Sequence, residues 1–170
     1  AIFQAGECLV RLKRYDEAKE RFGKVIARHD LSALSPRERA EMELARFRGT
    51  GEPTVRELVA KAYVKLGDCL AAQDSAQEAL AAYRRAIVGY PGEVEVAKLA
   101  YIRMAQLRTE VEGYESGIAA YREAMEGVRD RVFQGRTQAE IMGLYYENGR
   151  YEEAVEEHRF YLASFGDVVG

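Results

Sequence analysis

The sequence predicts an all-α fold built of stacked antiparallel helix pairs. Three observations carry that expectation: apolar residues recur with a helical period along almost the whole chain, nothing reads as strand, and one short motif keeps returning. The motif is a small residue followed four positions later by an aromatic or similar one, as in Ala18 with Phe22, Ala79 with Tyr83, Gly117 with Tyr121 and Ala154 with His158. From Ala79 to Gly117 is 38 residues and from Gly117 to Ala154 is 37, so the later copies keep one register. Composition sets the bounds around this pattern. A chain of 170 residues, 48% hydrophobic, can bury most of the surface it exposes when unfolded. Two cysteines exclude a disulfide scaffold. No stretch approaches the roughly 20 apolar residues that a spanning helix needs. With 25 Lys plus Arg against 28 Asp plus Glu, the net charge of −3 argues against a surface that tracks phosphates.

The elements follow in order. A first helix is expected over 1–13; its opening Ala1-Ile2-Phe3-Gln4 lies inside the helical pattern and has no initiator Met, which predicts a piece of a longer chain. A second follows over 15–29. Ser35-Pro36-Arg37-Glu38 joins a capping box to a proline at the first helical position and predicts a helix over 36–48. Gly49-Thr50-Gly51-Glu52-Pro53 then reads as a linker, because it lacks the Gly-Lys-Ser/Thr ending and the preceding strand of a phosphate loop. Thr54 with Glu57 and Ser75 with Glu78 repeat the capping pattern and predict helices over 54–73 and 75–90. Further helices are expected over 93–110, 114–130, 134–148 and 151–165. The repeats accordingly occupy 1–30, 54–92, 93–130 and 131–170, the last of them divergent. The 61 residues from Ala18 to Ala79 are too many for one repeat and too few for two. Residues 31–53 are therefore an extra helix and linker, either a degenerate repeat or a chain junction.

The repeat resembles the tetratricopeptide repeat, whose signature is Trp-x2-Leu-Gly-x2-Tyr, then Ala-x3-Phe, then Pro. Tyr63-x2-Leu66-Gly67-x2-Leu70, Ala79-x3-Tyr83 and Pro91 form the best copy. Ile2-x2-Ala5-Gly6-x2-Leu9 with Ala18-x3-Phe22, and Tyr101-x2-Met104-Ala105 with Gly117-x3-Tyr121, are two more. The last is Gln138-x2-Ile141-Met142-x2-Tyr145 with Ala154-x3-His158. Small residues at these positions let paired helices approach closely. The resemblance implies a right-handed superhelical α-solenoid. The 37–38-residue spacing exceeds the usual 34, as in variant repeats of bacterial envelope-assembly and large adaptor proteins.

Residues that could carry chemistry read more plainly as structure. His29 and His158 are the only histidines, and His158 fills the aromatic slot of the last repeat. Glu153, Glu157 and His158 share neighbouring turns, but no second His or Cys joins them to hold a metal. Cys8 and Cys69 stand at matching repeat positions, which predicts two small core fillers. The arginines at 37, 39, 46 and 48 alternate with Glu38, Glu41 and Glu43, as on a solvated helix. Arg129, Arg131 and Arg136 form a basic spot placed to neutralise a helix carboxyl end. No carboxylate pair sits in an apolar setting, so no enzyme and no cofactor are expected.

On a solenoid, function lies on the concave face, lined mainly by the first helix of each pair. The register puts Lys61, Val64 and Asp68 there from one repeat, Leu99, Ile102, Gln106 and Thr109 from the next, and Arg136, Tyr146 and Glu147 from the last. That mixture suits an extended or helical peptide held by apolar anchors. Val64, Asp68, Ile102 and Gln106 stand where a carboxylate-clamping repeat has Lys, Arg and Asn, so that kind of clamp is not expected. The expected role is an adaptor for a protein or peptide segment, without nucleic acid or membrane insertion. The alternative is a structural spacer that stacks end to end with further repeats or a second copy, through apolar residues such as Ile2, Val10, Phe160 and Phe165.

Overall fold

The structure, a computed structural model, describes residues 1–28, 37 and 54–167. Among them stand α1 (Ile2–Arg11), α2 (Tyr15–Arg28), α3 (Val55–Ala71), α4 (Ala76–Gly89), α5 (Val94–Glu112), α6 (Tyr114–Gly127), α7 (Arg131–Glu147) and α8 (Tyr151–Phe165). No strand occurs among the described residues. The fold is an all-α helical repeat. The expected helix at 36–48, its Ser35 cap, His29 and the 49–53 linker lie outside the described residues, apart from Arg37, which is helical and exposed.

The chain divides into two compact units, Ala1–Val96 and Ala97–Gly170. In the first, α1 pairs with α2 and α3 with α4. Its core joins Ala18, Phe22 and Val25 of α2 to Ala62 and Cys69 of α3, with Ile2, Phe3, Leu9 and Val10 of α1 packed against them. Helix α2 therefore lies directly on α3, as the second helix of one repeat lies on the first of the next, although residues 29–54 intervene in sequence. In the second unit, Ala105 of α5, Ile118, Ala120 and Tyr121 of α6 and Ile141 of α7 form one buried cluster. Ala124, Val128 and Phe133 form another, against which Tyr101 and Ile102 pack.

A glycine facing an aromatic sets the spacing within the first two pairs. A Cβ on Gly6 would stand 2.7 Å from the Phe22 ring, and one on Gly67 would stand 2.5 Å from the Tyr83 ring. Only glycine admits those aromatics at that distance. In the pair α5/α6 the device changes: a Cβ on Gly117 would collide with the Thr109 hydroxyl, and one on Gly127 with the Tyr101 hydroxyl.

Three of the turns are one turn repeated. Lys13 (φ 58°), Asp74 (φ 59°) and Gly149 (φ 73°) are left-handed. The next N–H in each case, from Arg14, Ser75 or Arg150, reaches back to the carbonyl of Leu9, Leu70 or Tyr145 at 2.9 Å. This six-to-one closure satisfies a carbonyl that the helix end leaves open. It also accounts for one departure from expectation: Ser75 makes no side-chain cap, since the tight turn fixes its backbone and the Ser75–Glu78 box does not form. Thr54 does cap, accepting from Glu57 N at 3.1 Å. Helix α7 starts at Arg131, three residues before the expected 134, because Asp130 accepts from Phe133 N at 2.9 Å.

Candidate protein-binding surface

The expected surface residues separate into those that face out and those that serve the core. On α3, Lys61 is half-exposed and pairs with Glu57 at 2.6 Å. Val64 is fully buried, together with Val59, Ala60 and Ala62, so it offers no surface. Asp68 is mostly buried at the α3/α4 joint, where it accepts the Tyr83 hydroxyl at 3.0 Å and faces Lys65 at 3.5 Å. A buried phenol needs a partner, and Asp68 supplies it.

On α5, Leu99 is exposed and Gln106 is exposed, accepting from Arg103 at 3.2 Å. Ile102 is half-buried at the seam with α7, against the cluster that contains Phe133. Thr109 turns into the α5/α6 joint, its hydroxyl donating to the Ala105 carbonyl at 2.9 Å. On α7, Arg136, Tyr146 and Glu147 are exposed. Tyr146 packs edge-on to Tyr151, ring centroids 5.5 Å apart. Val132 is exposed too and lies one turn before Arg136 on the same side of α7. Sequence reasoning missed it because the helix was expected to begin at 134; the Asp130 cap three residues before Phe133 was the available signal.

Charge is arranged to lock helices to one another. Lys98 of α5 bonds Asp130 at 2.7 Å, and that bond together with the Phe133 N–H holds the Asp130 carboxyl below its ordinary range. Arg131 donates to the Ser164 carbonyl at 2.8 Å and to the Asp167 carboxylate at 3.0 Å, so it does neutralise the carboxyl end of α8. The last repeat owes its divergence to another such lock. Gln138, which stands in the large aromatic slot, is buried and donates to Glu157 at 2.5 Å, while Arg122 holds the same carboxylate at 2.8 Å.

Two of the carboxylates considered for metal binding are already paired. Glu157 is committed to Gln138 and Arg122, and Glu153 to Arg150. Among the described residues no three His, Cys, Asp or Glu side chains converge to hold a metal. His158 is exposed and stacks on Tyr161 at 6.5 Å, not packed in the aromatic slot as expected. The cysteines also part company: Cys69 is buried between α2 and α3, whereas Cys8 is exposed. Their repeat positions match, but α2 covers that face of α3, and among the described residues no helix covers that face of α1. Burial and the neighbouring Asp68 push the Cys69 thiol up to about 11, which leaves it protonated at neutral pH.

A pairwise stack of helices with close glycine–aromatic joints in its first two pairs defines a helical-repeat fold. The tetratricopeptide repeat family model matches residues 1–32 and 61–92, and over these the chain carries tetratricopeptide repeats. Such repeats generally mediate protein–protein interaction, and their fold is typically non-catalytic. The fold is also similar to a solved structure described as the crystal structure of MamA, at 20% identity and a TM-score of 0.46, covering 94% of this chain and 93% of that one. No curated protein matches the sequence. No helix among the described residues is long and apolar enough to cross a membrane.

Proposed function

We propose that the chain is an adaptor that holds a segment of a protein partner along the first helices of its repeats, without bond chemistry and without a cofactor. The observation that carries this reading is the exposure of large apolar side chains on the first helices of the second unit: Leu99 at 40%, Val132 at 43% and Tyr146 at 66%. Gln106, Arg136 and Glu147 stand on the same two helices and would fix the register of a bound segment. Ile102, half-buried, would form the floor between α5 and α7. In the first unit Lys61 is half-exposed on α3, where it pairs with Glu57. The net charge of −3 favours a protein partner over nucleic acid.

The test is a paired substitution at two exposed anchors, Leu99→Asp with Tyr146→Asp, in the full chain. Proteins captured by the wild type and by the variant are compared by quantitative mass spectrometry, with a thermal melt to show that the fold is kept. A partner held along these helices should drop by about tenfold or more, the loss that removing about 1.4 kcal/mol of binding produces. Equal capture by a folded variant overturns the reading.

A further inference from the structure

The chain itself shows which surface a repeat's second helix presents to its successor. Helix α2 receives α3 through Tyr15 and Ile26 beside the buried Ala18 and Phe22, and α3 brings Ala62, Leu66 and Cys69. At the edge of that contact Gln73 donates to Asp16 at 3.2 Å. Aligning Arg14-Tyr15-Asp16 with Arg150-Tyr151-Glu152 carries the receiving face onto α8. Tyr15 becomes Tyr151, Lys19 becomes Val155 and Ile26 becomes Leu162, and these are 61%, 50% and 57% exposed. Lys19 gives way to an apolar side chain while the buried Phe22 gives way to the exposed His158, and among the described residues nothing covers this face of α8.

The complementary face is on α1. Aligning Gly6 with Gly67 turns Ala62, Leu66, Cys69 and Gln73 into Ala1, Ala5, Cys8 and Leu12, all exposed, Leu12 at 64%. Charge agrees with shape. The Asp16 edge becomes Glu152, with Glu156 one turn on, and the Gln73 edge becomes Leu12 flanked by Arg11 and Lys13. The acidic edge at Glu152 would meet the basic Arg11 and Lys13, while Arg159 stands further along α8 beside Val155 and Glu156.

We propose that α8 of one copy receives α1 of a second copy head to tail, as α2 receives α3 within the chain. The contact is heterologous, since two different faces meet, so it propagates into a ring or a filament and does not stop at a symmetric dimer. The residues first expected at the ends do not make it: Ile2 and Val10 pack into the first core and Phe165 is buried, leaving Phe160 alone exposed.

Two exposed-site variants test this, Cys8→Arg on α1 and Val155→Asp on α8, each checked for helical content and melting. Under reducing conditions, mean mass by light scattering should rise with wild-type concentration above the 19.2 kDa of one chain. Each variant alone blocks one of the two faces and stays at the mass of one chain. Their mixture retains one intact pair of faces and should reach twice that mass and no more. Wild type that stays single at every concentration overturns the proposal. So does self-association of Cys8→Arg alone, which would indicate an α8-to-α8 contact, or a mixture that fails to pair while the wild type associates.

Discussion

At Gly67 one hydrogen decides how closely α3 and α4 pack. The ring it faces has nowhere to go, because Tyr83 is buried and its hydroxyl is tied to Asp68. Gly67→Ala should therefore destabilise the chain by about 1–3 kcal/mol, the usual range for forcing atoms into a packed joint, read as a lower urea midpoint. The two thiols make a second contrast at this scale. A maleimide should label Cys8 in the native, unassociated chain and reach Cys69 only on unfolding. Because Cys69 titrates near 11 when folded and near 8.5 when unfolded, its contribution to stability is intact below about 8.5 and is lost as pH rises toward 11. The glycines were legible in the sequence because their spacing to an aromatic is fixed within the helix pair. The fate of Cys8 and His158 was not, since exposure depends on which neighbour covers a face, and equivalent positions in different repeats need not have equivalent neighbours.

Among the elements, the turns divide into those the sequence announces and those it hides. Lys13 holds a left-handed backbone that costs an ordinary L residue energy, whereas the equivalent Gly149 adopts it freely. Lys13→Gly should stabilise the first pair by about 0.5–1 kcal/mol, the relief being partly offset by the entropy glycine adds to the unfolded chain; an unchanged melting curve would count against the strain. Helix starts were readable at Thr54, where the side chain caps, and at Ser75, where the preceding turn and not the side chain closes the helix end. The last repeat was hardest to read because its Gln138 replaces an aromatic and is stabilised from α8. Glu157→Ala removes that partner and leaves a buried amide unmet, so a loss of about 1–3 kcal/mol is expected in chemical denaturation.

For the whole molecule, the repeat period carried most of the architecture, since each helix pair is largely specified by its own residues and its immediate neighbours. The candidate surface was only half legible. Leu99, Gln106, Arg136, Tyr146 and Glu147 are exposed, but register alone does not separate an inner wall from a joint. Val64, Asp68 and Thr109 went to the core or the joints because neighbouring helices claim those sides. The recurring turn has one more consequence. The amide protons of Arg14, Ser75 and Arg150 occupy the same chemical position in the pairs α1/α2, α3/α4 and α7/α8, each closed onto a carbonyl five residues back. They are natural spectroscopic sentinels: differences among their hydrogen-exchange rates would rank the local opening free energies of three pairs within one chain, with turn geometry held constant by the protein itself.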